Sequence, residues 1–249
     1  MIDCVSVRNM RKSDQQTIEK GISGRELIRR AAHGVYRAVS WSGRVAVVVG
    51  SGNNGADGFA LADSLHSNGI DVTVYQVSER LHDDCAYFAS KAEQNGVPIV
   101  LYCGTNHMLH GYDIIVDCML GTGFRGEVRE AYRCAIEEIN ETSSYVVSVD
   151  MNSGMDGDTG EGSAIVHSDL TVAVEFIKIG MVSEAAEKHM DRLICVKIGI
   201  ELAKQENMIC SETEWTSMCE QLQISADRKS VEYNGILFLK CPKWLDLSA

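Results

Sequence analysis

The chain has 249 residues, of which 45% are hydrophobic and 23% charged, and its formal net charge is −12. This length suffices for an enzyme-sized core, and no apolar run approaches the roughly 20 residues of a membrane helix. The negative charge disfavours nucleic acid as a partner, because a phosphate backbone requires a basic surface.

The nine cysteines are scattered along the chain, and no two form a CxxC pair. This spacing favours reduced thiols over a disulfide framework or a metal site. The N-terminal stretch leads into a helical pattern without the apolar segment of a secretory signal. We therefore expect a cytoplasmic protein.

Two capping-box spacings open the chain. Ser13 with Gln16, and Ser23 with Glu26, predict helices that begin near residues 14 and 24. The second helix has one core-facing side, formed by Leu27, Ile28, Ala31, Ala32, Val35, Tyr36 and Val39.

From Arg44 onward, apolar strands alternate with helices. The predicted strands are VAVVVG, IDVTVYQV, VPIVLY, YDIIVDCML, YVVSVDM, LTVAVEF and LICVKIGI. Continuously apolar strands separated by helices indicate a parallel sheet covered on both faces. The predicted fold class is therefore α/β, a three-layer sandwich with a mostly parallel sheet. Ligands of such folds bind beyond the carboxyl ends of the strands, where this chain has three glycine-rich loops.

The first loop, Gly50–Gly58, reads GSGNNGADG and satisfies GxGxxG after a strand and before a helix. The next strand ends in Gln76 where a dinucleotide fold has an acidic ribose ligand, which disfavours a nicotinamide dehydrogenase. The amides of Asn53 and Asn54 and the charge of Asp57 favour a ligand site. The alternative is a turn with asparagine in left-handed conformations.

The second loop lies within DCMLGTGFRGE, and it begins with Asp117 at the end of an apolar strand. A carboxylate there is costly unless it is paired, hydrogen-bonded or bound to a cation. Gly121, Gly123 and Gly126 let the backbone approach a ligand, and Arg125 can meet a phosphate. The alternative is a glycine-rich turn with a surface arginine.

The third loop, MNSGMDGDTG, follows Asp150, which repeats the strand-end position of Asp117. Ser153 supplies a hydroxyl at the same turn. The segment DGDTG faintly resembles a calcium loop, but Gly160 stands where a third ligand is required and the terminal glutamate is missing. Two carboxylates at strand ends that converge favour a chemical site.

These three motifs, in this order, resemble those of the NAD(P)H-hydrate epimerase family, also called the YjeF N-terminal domain type. The opening from Met10 to Ala31 is similar to the family's MRxxDxxxIExxGISGxELMxxA. Lys178 and Gly180 match the end of its TFGxxKxG. The resemblance spans about residues 8 to 200, and it implies a Rossmann-like fold that interconverts the epimers of hydrated NADH or NADPH.

The resemblance also implies a potassium ion, with Asn54, Asp117 and Ser153 as its ligands. A bound cation would offset the desolvation of Asp117. The implied substrate contacts are Asn53, Asn54, Gly55, Ala56, Asp57, Gly121, Thr122, Gly123, Phe124, Arg125, Gly126, Glu127 and Asp150. Family resemblance further implies a homodimer.

Asp150 is the candidate catalytic residue. The hydroxylated carbon of the substrate is a hemiaminal, which can lose hydroxide or open its ring before closing on the other face. A carboxylate there can shuttle the proton and stabilise an iminium cation. Because epimerisation consumes no redox equivalent, the missing ribose carboxylate is no objection.

Four residues depart from the family pattern. Ala56 replaces a glycine, at a cost of about 1 kcal/mol if that site has positive φ. Met151 and Asn152 replace Ile-Pro, and Glu175 replaces the glycine of TFG. These departures leave open a catalytically degenerate member or a non-catalytic nucleotide- or RNA-binding scaffold, like the related domains of enhancer-of-decapping and apolipoprotein-binding proteins. The net charge argues against RNA.

The predicted domains are an epimerase-type domain at 1–204 and a tail at 205–249. The tail segment ADRKSVEYNGILFLKCPKWL resembles the opening RxxxxHKGxYGxVLVIAG of the partner dehydratase domain. We expect the tail to add little to the core, and the partner NAD(P)H-hydrate dehydratase to be a separate protein.

Overall fold

A computed structural model describes residues 1–104 and 107–248. Its strands are β1 (Ile2–Val5), β2 (Arg44–Val49), β3 (Asp71–Gln76), β4 (Ile99–Leu101), β5 (Ile114–Cys118), β6 (Tyr145–Val149), β7 (Leu170–Val174), β8 (Ile177–Lys178), β9 (Leu193–Val196), β10 (Asn207–Cys210), β11 (Ser230–Tyr233) and β12 (Ile236–Lys240). Its α-helices are α1 (Val7–Glu19), α2 (Gly24–Ala38), α3 (Asn53–Ser67), α4 (Asp83–Gln94), α5 (Glu130–Glu141) and α6 (Glu212–Leu222). In this part of the chain, no helix has the length and apolar character needed to cross a membrane.

Seven strands form a sheet in the order β4-β3-β2-β5-β6-β7-β9, and every pair in it is parallel. In β2, Val45 and Val47 pack with α1 to α4, whereas Ala46 and Val48 pack with α5 on the opposite face. Apolar residues at every position are therefore needed to bury both faces. The predicted α/β three-layer architecture is confirmed.

The strand order reverses between β2 and β5. The chain first adds β3 and β4 on one side of β2, and then returns to place β5, β6, β7 and β9 on the other side. The loops after β2 and β5 diverge to opposite faces at such a point and leave a crevice between them. The first two glycine-rich loops lie at this switch point.

The first helix begins earlier than the sequence pattern predicts. Ser6 is the N-cap of α1, so the predicted start near Ser13 is wrong. Ser13 is buried inside the helix, where its hydroxyl accepts a hydrogen bond from the Ala203 N–H at 2.9 Å. The same spacing at Ser23 does mark a helix start, because the Ser23 side chain accepts a hydrogen bond from the Glu26 N–H.

The tail contributes to the core, contrary to the expectation from sequence. β10 pairs with β1 in a second sheet of order β11-β12-β10-β1-β8, and Trp215 of α6 is fully buried. Further on, the Leu193 N–H donates to the Trp244 carbonyl at 2.6 Å, and the Asp246 N–H donates to the Leu193 carbonyl at 2.8 Å. The tail therefore covers strand edges of both sheets, which would otherwise expose unpaired backbone groups.

Candidate active site

A cleft of about 590 Å³ opens at the switch point, beyond the carboxyl ends of β2, β5 and β6. The predicted substrate contacts that line it are Asn53, Asn54, Asp57, Gly121, Thr122, Gly123, Phe124 and Asp150. Gly55 and Ala56 are buried in α3 behind this wall. The structure thus brings the first two glycine-rich loops and Asp150 together, as expected from their strand-end positions.

Two glycines of the first loop allow backbone segments to approach closely. A Cβ atom on Gly50 would lie 2.0 Å from the Met119 carbonyl oxygen, and one on Gly55 would lie 2.1 Å from the Gly50 carbonyl oxygen. A side chain at Gly50 would therefore push apart the segments that follow β2 and β5, and one at Gly55 would push α3 away from the end of β2. Asn54 lies in the first turn of α3, next to Gly55, and lines the cleft.

The Asn54 amide is buried, and neither its Nδ2 nor its Oδ1 atom has a hydrogen-bond partner among the described residues. Buried polar atoms without partners are rare because their desolvation is uncompensated. A Cβ atom on Gly121 would lie 3.3 Å from the Asn54 Cβ and 2.9 Å from an Asp150 carboxylate oxygen. The unpartnered amide therefore lies close to Asp150 across Gly121.

Asp117 is fully buried at the end of β5, and its carboxylate accepts four hydrogen bonds. The donors are the Met119 N–H at 3.2 Å, the Ser148 hydroxyl at 3.0 Å, the Ser153 N–H at 2.8 Å and the Ser153 hydroxyl. Burial raises the pKa of this carboxyl group, and the hydrogen bonds partly offset the rise. Asp117 therefore has the hydrogen-bond partners that a buried carboxylate requires, and all of these donors are uncharged.

Asp150 pairs with Lys178, whose side chain is completely buried. Lys178 also donates to the Val174 carbonyl at 3.2 Å, and the Thr122 N–H faces the second Asp150 oxygen at 3.4 Å. Asp150 has a φ of +69°, a conformation that costs energy for a residue with a side chain. The buried ammonium group thus orients a strained carboxylate toward the cleft.

Two more carboxyl groups line the cleft near Asp150. Burial, followed by the negative charges of Asp150 and Asp14, raises the pKa of Asp57 well above its usual value. Burial and the charge of Asp150 also raise the pKa of Asp14, which reaches the cleft from α1. Both groups retain protons to a higher pH than exposed aspartates do.

Arg125 does not face the cleft. Its guanidinium group donates to Asp156 at 2.5 Å and to Asp158 at 2.7 Å, so the third loop neutralises it. Gly126 and Glu127 are exposed, and neither is among the described residues that line the cleft. The structure therefore brings the first half of the Gly121–Glu127 loop to the site, but not the second half.

Comparison with known proteins identifies the family. A profile described as YjeF-related protein N-terminus matches residues 24–180, which is more than half of the chain. The chain belongs to this family. The resemblance carried by the three loops is thereby confirmed.

Relatives named NAD(P)H-hydrate epimerase align over most of their own length. The one from Limosilactobacillus reuteri is 35% identical over 203 residues, which cover 76% of this chain and 92% of the relative. The one from Anaerococcus prevotii is 33% identical over 210 residues, covering 79% of this chain and 94% of the relative.

Other family members are longer. The Coxiella burnetii protein named bifunctional NAD(P)H-hydrate repair enzyme Nnr is 34% identical over 201 residues, which cover 78% of this chain and 41% of that protein. The chain thus spans about two fifths of the length of this bifunctional relative. The crystal structure of yeast ynu0 matches with a TM-score of 0.65 at 23% identity, covering 72% of this chain and 83% of that one, and it supports the fold alone.

The departures from the family pattern are accommodated by the structure. Ala56 lies inside helix α3, where alanine is favourable, so the strain considered for positive φ does not arise. The buried Asn152 amide donates to the Val166 carbonyl at 2.8 Å and accepts from the Thr171 hydroxyl at 2.7 Å. Met151 packs into the core. These substitutions therefore leave the surrounding turns supported.

Glu175 has a positive φ of +59°, at the position where the family has glycine. One of its carboxylate oxygens accepts from three successive backbone N–H groups, those of Ile198 at 2.8 Å, Gly199 at 2.7 Å and Ile200 at 3.0 Å. Charge-assisted hydrogen bonds of this kind are strong. They offset the backbone strain and fix a segment whose isoleucines line the cleft.

Sequence reasoning gave no role to three residues of this site. Lys178 is the partner of Asp150, whereas Arg11 and Asp14 bring α1 to the cleft. The signal for Lys178 is a single cation within the apolar run TVAVEFIKIG, because a buried lysine requires an anionic partner. For Arg11 and Asp14 the signal is that they stand at the arginine and the aspartate of the opening motif MRxxDxxxIE.

Proposed function

We propose that this chain is an NAD(P)H-hydrate epimerase, an isomerase that interconverts the R and S forms of hydrated NADH or NADPH. The observation that carries the proposal is the Asp150–Lys178 pair beside the unpartnered Asn54 amide, in a cleft at the switch point of the sheet. Relatives with that name, aligned over more than nine tenths of their length, support it.

Asp150 is the proposed acid and base. Its carboxylate accepts the proton of the hydroxyl group as the C–N bond of the hemiaminal breaks to give an aldehyde, and the ring nitrogen keeps the bonding electron pair and takes up a proton. The reverse steps then close the ring on the other face of the carbon. If hydroxide leaves instead, the same negative charge stabilises the iminium cation. Lys178 orients the carboxylate through the buried ion pair, while Asp57, with its raised pKa, supplies a further proton donor at the cleft wall.

Asn54, Asp117 and Ser153 are the proposed ligands of a potassium ion. Their amide, carboxylate and hydroxyl oxygens are the hard donors that an alkali cation prefers, and the Asn54 oxygen has no other partner in the described structure. The Ser153 hydroxyl contacts both Asp117 and the Leu120 N–H, so it lies between the second and third loops. A bound cation would supply positive charge beside the buried carboxylate.

We further propose that the protein works in the cytoplasm as a homodimer and acts with a separate NAD(P)H-hydrate dehydratase. The buried free thiols of Cys4, Cys85, Cys118, Cys210 and Cys219 suit a reducing compartment. The net charge of −12 disfavours nucleic acid, so the nucleotide is the proposed partner as substrate.

Asp150→Asn tests the proposal. The change keeps the side-chain shape but removes the proton acceptor, so the accelerated rate should fall by roughly 100-fold to 10,000-fold while nucleotide binding persists. The measurement is chromatographic conversion of the purified R epimer to the S epimer, with the uncatalysed rate subtracted. Asp71→Asn is the matched control, because Asp71 is exposed at the amino end of β3.

Full activity in Asp150→Asn would assign Asp150 a binding or structural role only. A wild-type protein that does not accelerate epimerisation in potassium buffer would refute the epimerase proposal. The catalytically degenerate scaffold would then be the better description of this chain.

A further inference from the structure

The cleft is acidic, although its proposed substrate carries phosphate groups. Asp14, Asp57, Asp84 and Asp150 line it, and Arg11 is the single arginine or lysine among the described lining residues. A dinucleotide brings a negatively charged pyrophosphate into this environment. Some local donor has to offset the repulsion between the substrate and the carboxylates.

The other arginine and lysine side chains near the site, Arg125 and Lys178, are already paired. Arg125 lies against Asp156 and Asp158, and Lys178 is completely buried against Asp150. Either group would have to give up an existing ion pair to meet a phosphate. Arg11 has no such partner among the described residues, and its side chain is exposed.

The position of Arg11 is defined by one hydrogen bond. Its Nη2 atom donates to the Thr122 carbonyl at 2.9 Å, which links α1 to the second glycine-rich loop. A guanidinium group has five N–H donors, so most of them stay available to a ligand. Thr122 adjoins Gly121, which faces Asn54, so the guanidinium lies beside the wall of the cleft.

The start of α3 offers a second set of donors on the same cleft. Its N-cap is Gly52, which supplies no side-chain acceptor to the first backbone N–H groups of the helix. These N–H groups include those of the cleft residues Asn53 and Asn54, and they carry the positive end of the helix dipole. A pyrophosphate can thus meet backbone donors on one side and a guanidinium on the other.

We propose that Arg11 binds a phosphate group of the nucleotide, using the Thr122 carbonyl as its anchor. The inference rests on the proposed function for the identity of the substrate, and it makes Arg11 a binding residue that is remote from the reacting ring. It predicts that Arg11 contributes to the affinity for phosphorylated ligands and not to the chemical step. Arginine suits this role because its planar fork matches phosphate geometry.

Arg11→Gln separates these contributions. For hydrated NADH, KM should rise roughly 10- to 100-fold and kcat should stay within about 3-fold, as expected for loss of a charge-assisted hydrogen bond. For the hydrated dihydronicotinamide riboside, which has no phosphate, KM should be unchanged. Lys12→Gln is the matched control, since Lys12 is exposed on the same helix and does not line the cleft.

Calorimetric binding of ADP-ribose and adenosine gives a readout that is independent of turnover. The wild type should bind ADP-ribose more tightly than adenosine, and Arg11→Gln should reduce that preference roughly 10-fold or more. Arg11→Lys should recover part of this preference, because lysine restores the positive charge but not the planar guanidinium group. Melting temperatures of all three variants check that each is folded.

Equal losses for the phosphorylated and unphosphorylated ligands in Arg11→Gln would overturn the inference, since they would show that Arg11 only supports the Thr122 loop. A wild type without preference for ADP-ribose would overturn it as well. The two proposals can also fail separately. If the wild type lacks epimerase activity but prefers ADP-ribose to adenosine, and Arg11→Gln loses that preference, the proposed function is refuted while Arg11 remains the phosphate ligand.

Discussion

Asp150 and Glu175 hold left-handed backbone conformations just beyond the ends of the neighbouring strands β6 and β7. Such conformations cost roughly 1–3 kcal/mol and persist where surrounding contacts over-determine them. Here the contacts are the buried ammonium of Lys178 for Asp150 and three backbone N–H groups for Glu175. The backbone strain at Asp150 and Glu175 therefore occurs where each carboxylate has to be held in one direction.

Asp57 illustrates the cost of concentrating carboxyl groups in one cleft. Its pKa is raised by burial and by the charges of Asp150 and Asp14. A carboxyl group whose pKa is higher in the folded state than in the unfolded state stabilises the fold while it is protonated. This stabilisation is complete below the pKa of the unfolded state, which is about 3.9. That stability is lost as the pH rises through the raised pKa of the folded state.

Asp57→Asn removes the free-energy cost of ionising this carboxyl group in the folded protein. We expect its melting temperature to exceed that of the wild type by a margin that grows as the pH rises above the unfolded pKa of about 3.9, because only the wild type has this carboxyl group to ionise. Calorimetry at matched ionic strength measures the margin. The exposed control Asp71→Asn accounts for the loss of one carboxylate from the net charge. A margin that is constant or shrinks with rising pH would contradict the assignment.

At the scale of elements, the central sheet is predictable from sequence because its strands are buried on both faces and read as unbroken apolar runs. Val45 to Val49 shows this pattern, and the loops that follow such runs necessarily share one edge of the sheet. The positions of Asp117 and Asp150 follow from the same argument. What does not follow is the Asp150–Lys178 contact, because it depends on how the chain turns after β7.

Short elements escape sequence reasoning for a different reason. β1 has four residues, of which only Cys4 and Val5 are buried, and it is a strand because β8 and β10 pair with it. Ser13 has the spacing of a helix cap, yet it binds the backbone at Ala203. In both cases a segment about 170 to 200 residues away along the chain determines the local structure.

The tail gives the element-scale prediction. Deleting residues 205–249 removes β10 from the edge of β1 and the Trp244 contact from β9, so we expect a markedly lower melting temperature or an insoluble protein. Trp215→Ala is the milder test, since loss of the fully buried indole should lower the free energy of unfolding by about 3–5 kcal/mol. Trp215→Ala should lower one cooperative melting transition that both parts of the chain share. An unchanged main transition, with separate early melting of the tail, would show that the tail is an independent unit.

At the scale of the whole molecule, the proposed potassium site joins parts of the chain that meet only after folding. Asn54 and Ser153 follow β2 and β6, and Asp117 lies near the end of β5, so a cation held by all three stabilises the folded state by mass action. The net charge of −12 attracts every cation. A specific site therefore has to be distinguished from general screening by comparing potassium with sodium at equal ionic strength.

Asn54→Leu makes that comparison decisive. The Asn54 amide has no hydrogen-bond partner in the described structure, so its replacement by an apolar side chain of similar size breaks no internal contact. In sodium buffer the variant should be at least as stable as the wild type. In potassium buffer only the wild type should gain a further rise in melting temperature, because the variant lacks the amide oxygen of the site.

Asn53→Ala, at the exposed neighbouring position, should keep the potassium-dependent rise. Equal melting temperatures of the wild type in the two salts, or a potassium-dependent rise that survives in Asn54→Leu, would remove the basis for the site.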